Sequence, residues 1–325
     1  MTVPLGARTG VRPDGNSTAL PGGNSTVPPG ESPAAPSSRK AMANQALLAI
    51  LGGSGVYGFD GLEEVEELRP DTPFGKPSDA ILLGKLDGVP VAFLPRHGRG
   101  HIHTPSEVPY RANLFALRAL GVQRVLSVSA VGSLTEDHVP GDFVLVDQFV
   151  DRSLRRGTTF FGDGIAAHVP FGHPVCPATL AAVEEAAQGL EVKVHSGGTY
   201  LCIEGPQFST RAESELYRDL GATVVGMTQA TEARLAREAG MAFACIAMVT
   251  DFDCWHPDHD EVDVEAVVAV ARRNADAVRE LVLRSIPALA ALGPSTWRDV
   301  LRGAVMTADD QIPDDRRAIL EVLTS

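Results

Sequence analysis

The feature that most restricts the fold is a recurring unit: a short, mainly apolar run that stops abruptly at glycine, serine or a charged group, followed by helical spacing. Ala46–Leu51 runs into Gly52-Gly53-Ser54-Gly55, and Val89–Leu94 into Pro95-Arg96-His97-Gly98-Arg99-Gly100-His101. Val122–Val128 stops at Ser129-Ala130-Val131-Gly132-Ser133, and Phe243–Val249 at Thr250-Asp251-Phe252-Asp253-Cys254-Trp255. Runs this short, without polar alternation, read as strands buried on both faces. Ala80–Leu83 and Val89–Leu94 read as a hairpin around Asp87-Gly88, and Val144–Val150 and Thr199–Ile203 as further strands. Helical spacing covers Ala112–Leu120 before Gly121, and Thr179–Leu190. Another helix starts at Thr210, which has capping-box spacing to Glu213, and carries Leu216 on its apolar face. Val224-Val225-Gly226-Met227-Thr228 leads into a helix through Glu232 and Leu235 to Gly240; Val264, Val267, Val268, Ala271, Val278 and Leu281 predict one long final helix.

Strands alternating with helices imply an α/β domain whose ligands sit at the carboxyl edge of the sheet. With 325 residues and 44% hydrophobic content the chain has material for a substantial core. The 41 acidic against 28 basic residues, a net charge of −13, oppose a broad nucleic-acid footprint. Cys176, Cys202, Cys245 and Cys254 are far apart with no CxxC pair, which fits a reducing cytoplasm rather than a disulfide framework or zinc motif. No apolar run approaches the ~18 residues that suggest a membrane span. Residues 1–44 are rich in Pro, Gly, Ser and Thr and are expected to be a disordered extension without a secretory apolar region, with synthesis expected to begin at Met42. Residues 45–290 then form the catalytic domain and 291–325 a helical tail.

The loops at the strand ends carry the chemistry. Gly52-Gly53-Ser54-Gly55 lets backbone N–H groups approach an anion, although a plain tight turn has the same composition. Arg96 presents a planar fork suited to phosphate oxygens and His97 a further donor; a solvated basic turn is the ordinary alternative. Thr228 opens a helix, whose N-terminus attracts anions. Phe208, beside the Gly205-Pro206 turn, either stacks on a planar ligand or packs against the helix that follows. Asp251 and Asp253, two apart on an extended backbone, face one way and Phe252 the other, and their repulsion within an apolar surround raises the pKa of at least one. Ser54, Arg96, His97, Ser129, Ala130 and Thr228 would converge on one phosphate, with Phe208 and the two acids framing a flat base.

Gly52-Gly53-Ser54-Gly55, Thr72-Pro73-Phe74-Gly75-Lys76-Pro77-Ser78, Arg96-His97-Gly98-Arg99, Tyr110-Arg111-Ala112-Asn113, Glu204-Gly205-Pro206-Gln207-Phe208 and Thr250–Trp255 together resemble the trimeric purine nucleoside phosphorylases, in their S-methyl-5'-thioadenosine phosphorylase branch. The match runs from about Leu47 to Ile286. The resemblance implies a single domain with a central mixed sheet flanked by helices, a homotrimer, and phosphorolysis to adenine and S-methyl-5-thioribose 1-phosphate. It implies inorganic phosphate as co-substrate and no cofactor or metal. Asp251 would protonate the purine N7, Asp253 read the exocyclic amine, Phe208 stack on the base, and Met227 contact the ribose, with Thr250 also at the substrate. Ser54, Arg96, His97, Ser129, Ala130 and Thr228 would bind phosphate, and His168 would complete a neighbouring subunit's pocket.

Sister enzymes for 6-oxopurines carry Glu after the loop Phe and Asn at the first acid, where this chain has Ser209 and Asp251; a 6-amino donor wants an acceptor. Val264, Val267 and Val268 would form an apolar wall that favours 5'-methylthio over 5'-hydroxyl, since an unpaired buried hydroxyl costs ~1–3 kcal/mol. The family continues its Met-Thr segment with a Pro-Glu pair; here Met227-Thr228 leads into Gln229-Ala230-Thr231-Glu232, so the Glu is matched, the Pro is absent, and no essential role is carried over to Glu232. The rival readings are a phosphorylase of 5'-hydroxy or 5'-halo purine nucleosides, and a metal- or ligand-binding protein using Asp251, Asp253, His256, Asp258, His259 and Asp260.

Overall fold

Eleven strands build one mixed sheet in the computed structural model, which describes residues 47–53, 61–257 and 262–325. The 1–44 extension, Ser54 and the acidic run Asp258–Asp260 lie outside the described residues. The strands are β1 (Leu48–Gly52), β2 (Glu63–Leu68), β3 (Ile81–Leu86), β4 (Val89–Pro95), β5 (Arg124–Ser133), β6 (Phe143–Val146), β7 (Gln148–Asp151), β8 (Val194–Ser196), β9 (Thr199–Cys202), β10 (Val224–Gly226) and β11 (Ala242–Asp251). The helices are α1 (Tyr110–Ala119), α2 (Pro177–Ala186), α3 (Arg211–Asp219), α4 (Gln229–Glu238), α5 (Val264–Arg273), α6 (Ala275–Ala291) and α7 (Asp314–Thr324).

The centre is parallel, β4-β1-β5-β11, and its apolar runs are buried on both faces: Leu51, Phe93, Val125 and Phe243 are each 1% exposed or less. Antiparallel neighbours extend it, with β3 on β4, β6 on β11 and β10 on β5. β5 is the branch point. It pairs with β1 from Arg124 to Ser127, with β10 at Gly132 and Ser133, and along its other edge with β11.

Four expectations change. Val144–Val150 is two strands, β6 and β7, because the chain crosses between sheet branches at Asp147: β6 pairs with β11 and β8, β7 with β9. The final helix is two, broken at Asn274, whose side-chain amide donates to the Gly141 carbonyl at 3.2 Å. Leu216 is 45% exposed; α3 instead buries Ser214 and Tyr217, the latter against Leu134, Phe252 and Trp255. Periodicity also misses β2, whose sequence EEVEEL is exposed or half-buried on an edge strand. The predicted capping box at Thr210 and Glu213 is present.

The 291–325 tail contains α7, with Ile319 and Leu323 in the core. Its Val305 bridges Ala167, and its Thr307 hydroxyl accepts from the Ala166 amide at 2.8 Å. The tail thus pins the loop that carries His168. No described helix is long and apolar enough to cross a membrane.

Candidate active site

Between the ladders to β1 and β10, β5 opens onto a cavity of about 650 Å³, lined there by Ser129, Ala130 and Val131, with Gly132 of the β10 ladder beside them. β11 runs beside β5 and brings Thr250 and Asp251 to the same cavity. The ends of β4, β9 and β10 contribute Arg96, His97, the Ile203–Ser209 segment and Met227-Thr228. This is the carboxyl edge that the strand-end loops indicated.

Arg96 is 1% exposed, and its guanidinium is largely committed within the protein. Nε donates to Glu232 Oε1 at 2.5 Å and Nη2 to Oε2 at 3.0 Å, while Nη2 also reaches Ser127 Oγ at 2.5 Å and Nη1 the Val128 carbonyl at 3.0 Å. The expected phosphate fork is therefore a carboxylate fork. One Nη1 N–H remains without a partner among the described residues. Gly53 makes room for it, since a Cβ there would lie 2.7 Å from Nη1 and 2.6 Å from the Val128 oxygen.

His97 Nδ1 lies 2.9 Å from the His103 carbonyl, an acceptor only, so Nδ1 carries the proton. Burial, then the Arg96 charge, push the His97 pKa down to about 3, and the neutral ring offers Nε2 as an acceptor rather than the further donor expected. Ser129 and Thr228 are buried and line the cavity, Thr228 at the N-terminus of α4. An anion here meets hydroxyls, a helix N-terminus and one guanidinium N–H.

Burial raises the Asp251 carboxyl to about 6; the Thr250 hydroxyl at 2.7 Å and the Asp253 amide at 2.8 Å oppose the shift, and the Asp253 charge adds least. The alternation expected for the two acids does not hold. A register shift lies between Val249 and Asp251, β11 ends at Asp251, and Asp253 sits in a turn with φ +51°. Both acids reach the cavity by this turn, and Phe252 packs with Leu134, Tyr217 and Trp255. Gly132 leaves the space, because a Cβ there would lie 2.8 Å from Asp251 Oδ1. Burial also raises the Asp253 carboxyl. The Ser214 and Ser209 hydroxyls beside it oppose that rise by hydrogen bonding to the carboxyl.

Phe208 is 40% exposed, so of its two possible fates it takes the cavity rather than the core. Ser209, Met227, Val264, Val267 and Val268 line the cavity with it, although Val264 is 66% exposed. His168 is exposed and is not among the residues lining its own chain's cavity.

Sequence reasoning missed Glu232 as the partner of Arg96, the Ile102–Pro105 segment and Arg272 at the cavity, and a buried Arg156 behind it. Nothing in the spacing of these residues marks them. Among the described residues no group of three or more His, Cys, Asp or Glu is placed to hold a metal ion.

Residues 47–287 match the Phosphorylase superfamily. The S-methyl-5'-thioadenosine phosphorylase of Cereibacter sphaeroides is 57% identical over 238 residues, covering 73% of this chain and 82% of that one. The protein of the same name from Koribacter versatilis is 49% identical, covering 86% of this chain and 96% of its own. A methylthioadenosine phosphorylase from an Antarctic soil metagenomic library has a TM-score of 0.82 at 45% identity, covering 86% of this chain and 99% of that one. By the family match and these likenesses the chain belongs to the Phosphorylase superfamily, among its S-methyl-5'-thioadenosine phosphorylases.

Proposed function

We propose that the protein is a cytoplasmic pentosyltransferase that cleaves S-methyl-5'-thioadenosine with inorganic phosphate, giving adenine and S-methyl-5-thioribose 1-phosphate. The observation that carries the proposal is the placement of Asp251, its carboxyl raised to about 6, in one cavity with the Arg96, Ser129 and Thr228 anion site. As the glycosidic bond breaks, negative charge develops on the base and positive charge on the sugar. Asp251 donates its proton to the purine N7, and its pKa near the working pH suits that task. Phosphate, held by Ser54, Arg96, Ser129, Ala130 and Thr228, stabilises the cationic sugar and attacks its anomeric carbon. No cofactor enters this chemistry.

Phe208 stacks on the base, Met227 contacts the ribose, and Asp253 accepts from the 6-amino group. Val264, Val267 and Val268 form the wall for the 5'-methylthio group, where a 5'-hydroxyl would go unpaired. In the homotrimer this reading implies, the exposed His168 serves a neighbouring cavity from a loop held by the C-terminal tail.

The deciding assay is phosphate-dependent adenine release across 5'-substituted adenosines, with inosine alongside. Release from methylthioadenosine that requires phosphate and exceeds turnover of inosine is the expected result. Equal or better activity on inosine, or release without phosphate, overturns the proposal.

A further inference from the structure

Arg156 lies behind the cavity, not in its lining, and its side chain is 1% exposed. It comes from the polar segment after β7. Its guanidinium gathers backbone carbonyls at the ends of two strands. Nη2 donates to Glu204 O at 2.6 Å and Ile203 O at 3.3 Å, just beyond β9, and Nη1 donates to Met227 O, just beyond β10. The Glu204 side chain returns the contact: Oε1 lies 3.4 Å from Arg156 Nε, and Oε2 accepts from the Leu154 and Arg155 amides at 2.5 and 3.0 Å. Oε1 also accepts from Ser106, beside the cavity-lining Pro105. Against the pull of burial, the Leu154 amide, the Ser106 hydroxyl and the Arg155 amide hold the Glu204 carboxyl down to about 2.

The backbone groups held in this way carry the nucleoside side of the cavity. Ile203 and Glu204 lead into Pro206, Phe208 and Ser209, and Met227 is itself at the wall. The two segments touch, since a Cβ on Gly205, at φ +65°, would lie 2.5 Å from Met227 Sδ. The Arg96–Glu232 pair and Ser129, on the phosphate side, have no hydrogen bond to Arg156. Buried ion pairs contribute little net stability compared with apolar packing of similar volume, so a cation set among carbonyls serves geometry better than stability. A lysine ammonium lacks the planar fork that reaches carbonyls in separate directions.

We propose that Arg156 is a positioning residue that fixes the base-stacking loop and the ribose-contacting Met227 in register with one another. The proposal rests on the nucleoside phosphorylase reading.

The test is steady-state kinetics of Arg156→Lys and Arg156→Ala with methylthioadenosine and phosphate varied separately, the alanine variant also with millimolar guanidinium added. Phosphate-dependent adenine release by the unaltered enzyme is the control; its absence refutes the underlying reading, not the role of Arg156. The expected result is a nucleoside KM raised about tenfold or more, with the phosphate KM within about threefold of the unaltered enzyme. Guanidinium, which refits the gap, should lower the nucleoside KM of Arg156→Ala. A parallel rise in both KM values, unchanged kinetics, or no response to guanidinium overturns the proposal. Should Arg156→Ala fail to fold, Arg156→Lys alone decides through the same KM comparison.

Discussion

Arg96 and Glu232 form a buried two-pronged ion pair across 136 positions of sequence, with Nε 2.5 Å from Oε1 and Nη2 3.0 Å from Oε2. Ser127 closes the arrangement by donating to Glu232 Oε2 at 2.7 Å. The cation nearest the anion site is thus already neutralised, and its remaining N–H is aimed by the acid behind it. In the proposed mechanism Glu232 acts on phosphate through Arg96.

Removing that acid charge should therefore make the fold depend on phosphate. Glu232→Gln keeps the shape but leaves Arg96 buried without a counter-charge, a change that costs about 3–5 kcal/mol in comparable pairs. Phosphate offers a replacement anion. Thermal melts should show a lower Tm for the variant and a larger phosphate-induced rise than for the unaltered protein. An equal rise in both would refute the coupling.

Asp251 couples catalysis and stability to pH with a definite sign. Its folded carboxyl is raised from 3.8 to about 6, so between those values the native state binds the proton that the unfolded state has lost. Its contribution is stabilising below that window and is lost as pH rises through it; above 6 the ionised group costs about 2 kcal/mol after allowance for partial exposure. If Asp251 is the proton donor, kcat/KM should fall about tenfold per pH unit above 6, read with the phosphate dianion held constant. Asp251→Asn should lower kcat by about 100-fold or more, shift preference toward 6-oxopurines and raise Tm at pH 8. Unchanged kcat rejects Asp251 as the acid.

The sheet was legible because its centre is buried on both faces: runs such as Phe243–Val249 have only one comfortable environment. The phosphate and base loops were legible because each follows such a run. Breaks set by single tertiary contacts were not. Asn274 ends α5 by reaching Gly141, and Asp147 turns the chain from one sheet branch to another by donating its amide to Gly198 O. Residues that act by holding others left no periodic trace either; Glu232 and Arg156 each find partners far away in sequence. The two acids were placed correctly for a partly wrong reason, because a left-handed turn at Asp253, not strand alternation, brings them to the cavity.

Asp253, buried at the cavity wall beside the Ser209 and Ser214 hydroxyls, makes a prediction about base choice. A 6-amino donor facing this carboxyl acceptor gains a hydrogen bond worth about 0.5–3 kcal/mol. Asp253→Asn converts part of that acceptor into a donor suited to a 6-oxo group. Competition between methylthioadenosine and methylthioinosine should then narrow by about tenfold or more. An unaltered ratio would show that Asp253 does not read the amine.

The 5' wall permits a narrower substitution. Val267 and Val268 line the cavity half-buried on α5, beside the more exposed Val264. Val268→Thr keeps the branched shape while adding one hydroxyl, so packing changes little and hydrogen bonding changes most. A 5'-hydroxyl nucleoside would gain the partner it lacks, worth about 1 kcal/mol, and the methylthio group would meet a polar atom it cannot satisfy. Adenosine kcat/KM should therefore rise relative to methylthioadenosine by about fivefold to tenfold, through KM more than kcat, since the contact persists from ground state to transition state. Val264→Thr, at a position 66% exposed, should move the ratio much less. If both variants move it equally, the discrimination does not arise from burial of the 5' substituent against this wall.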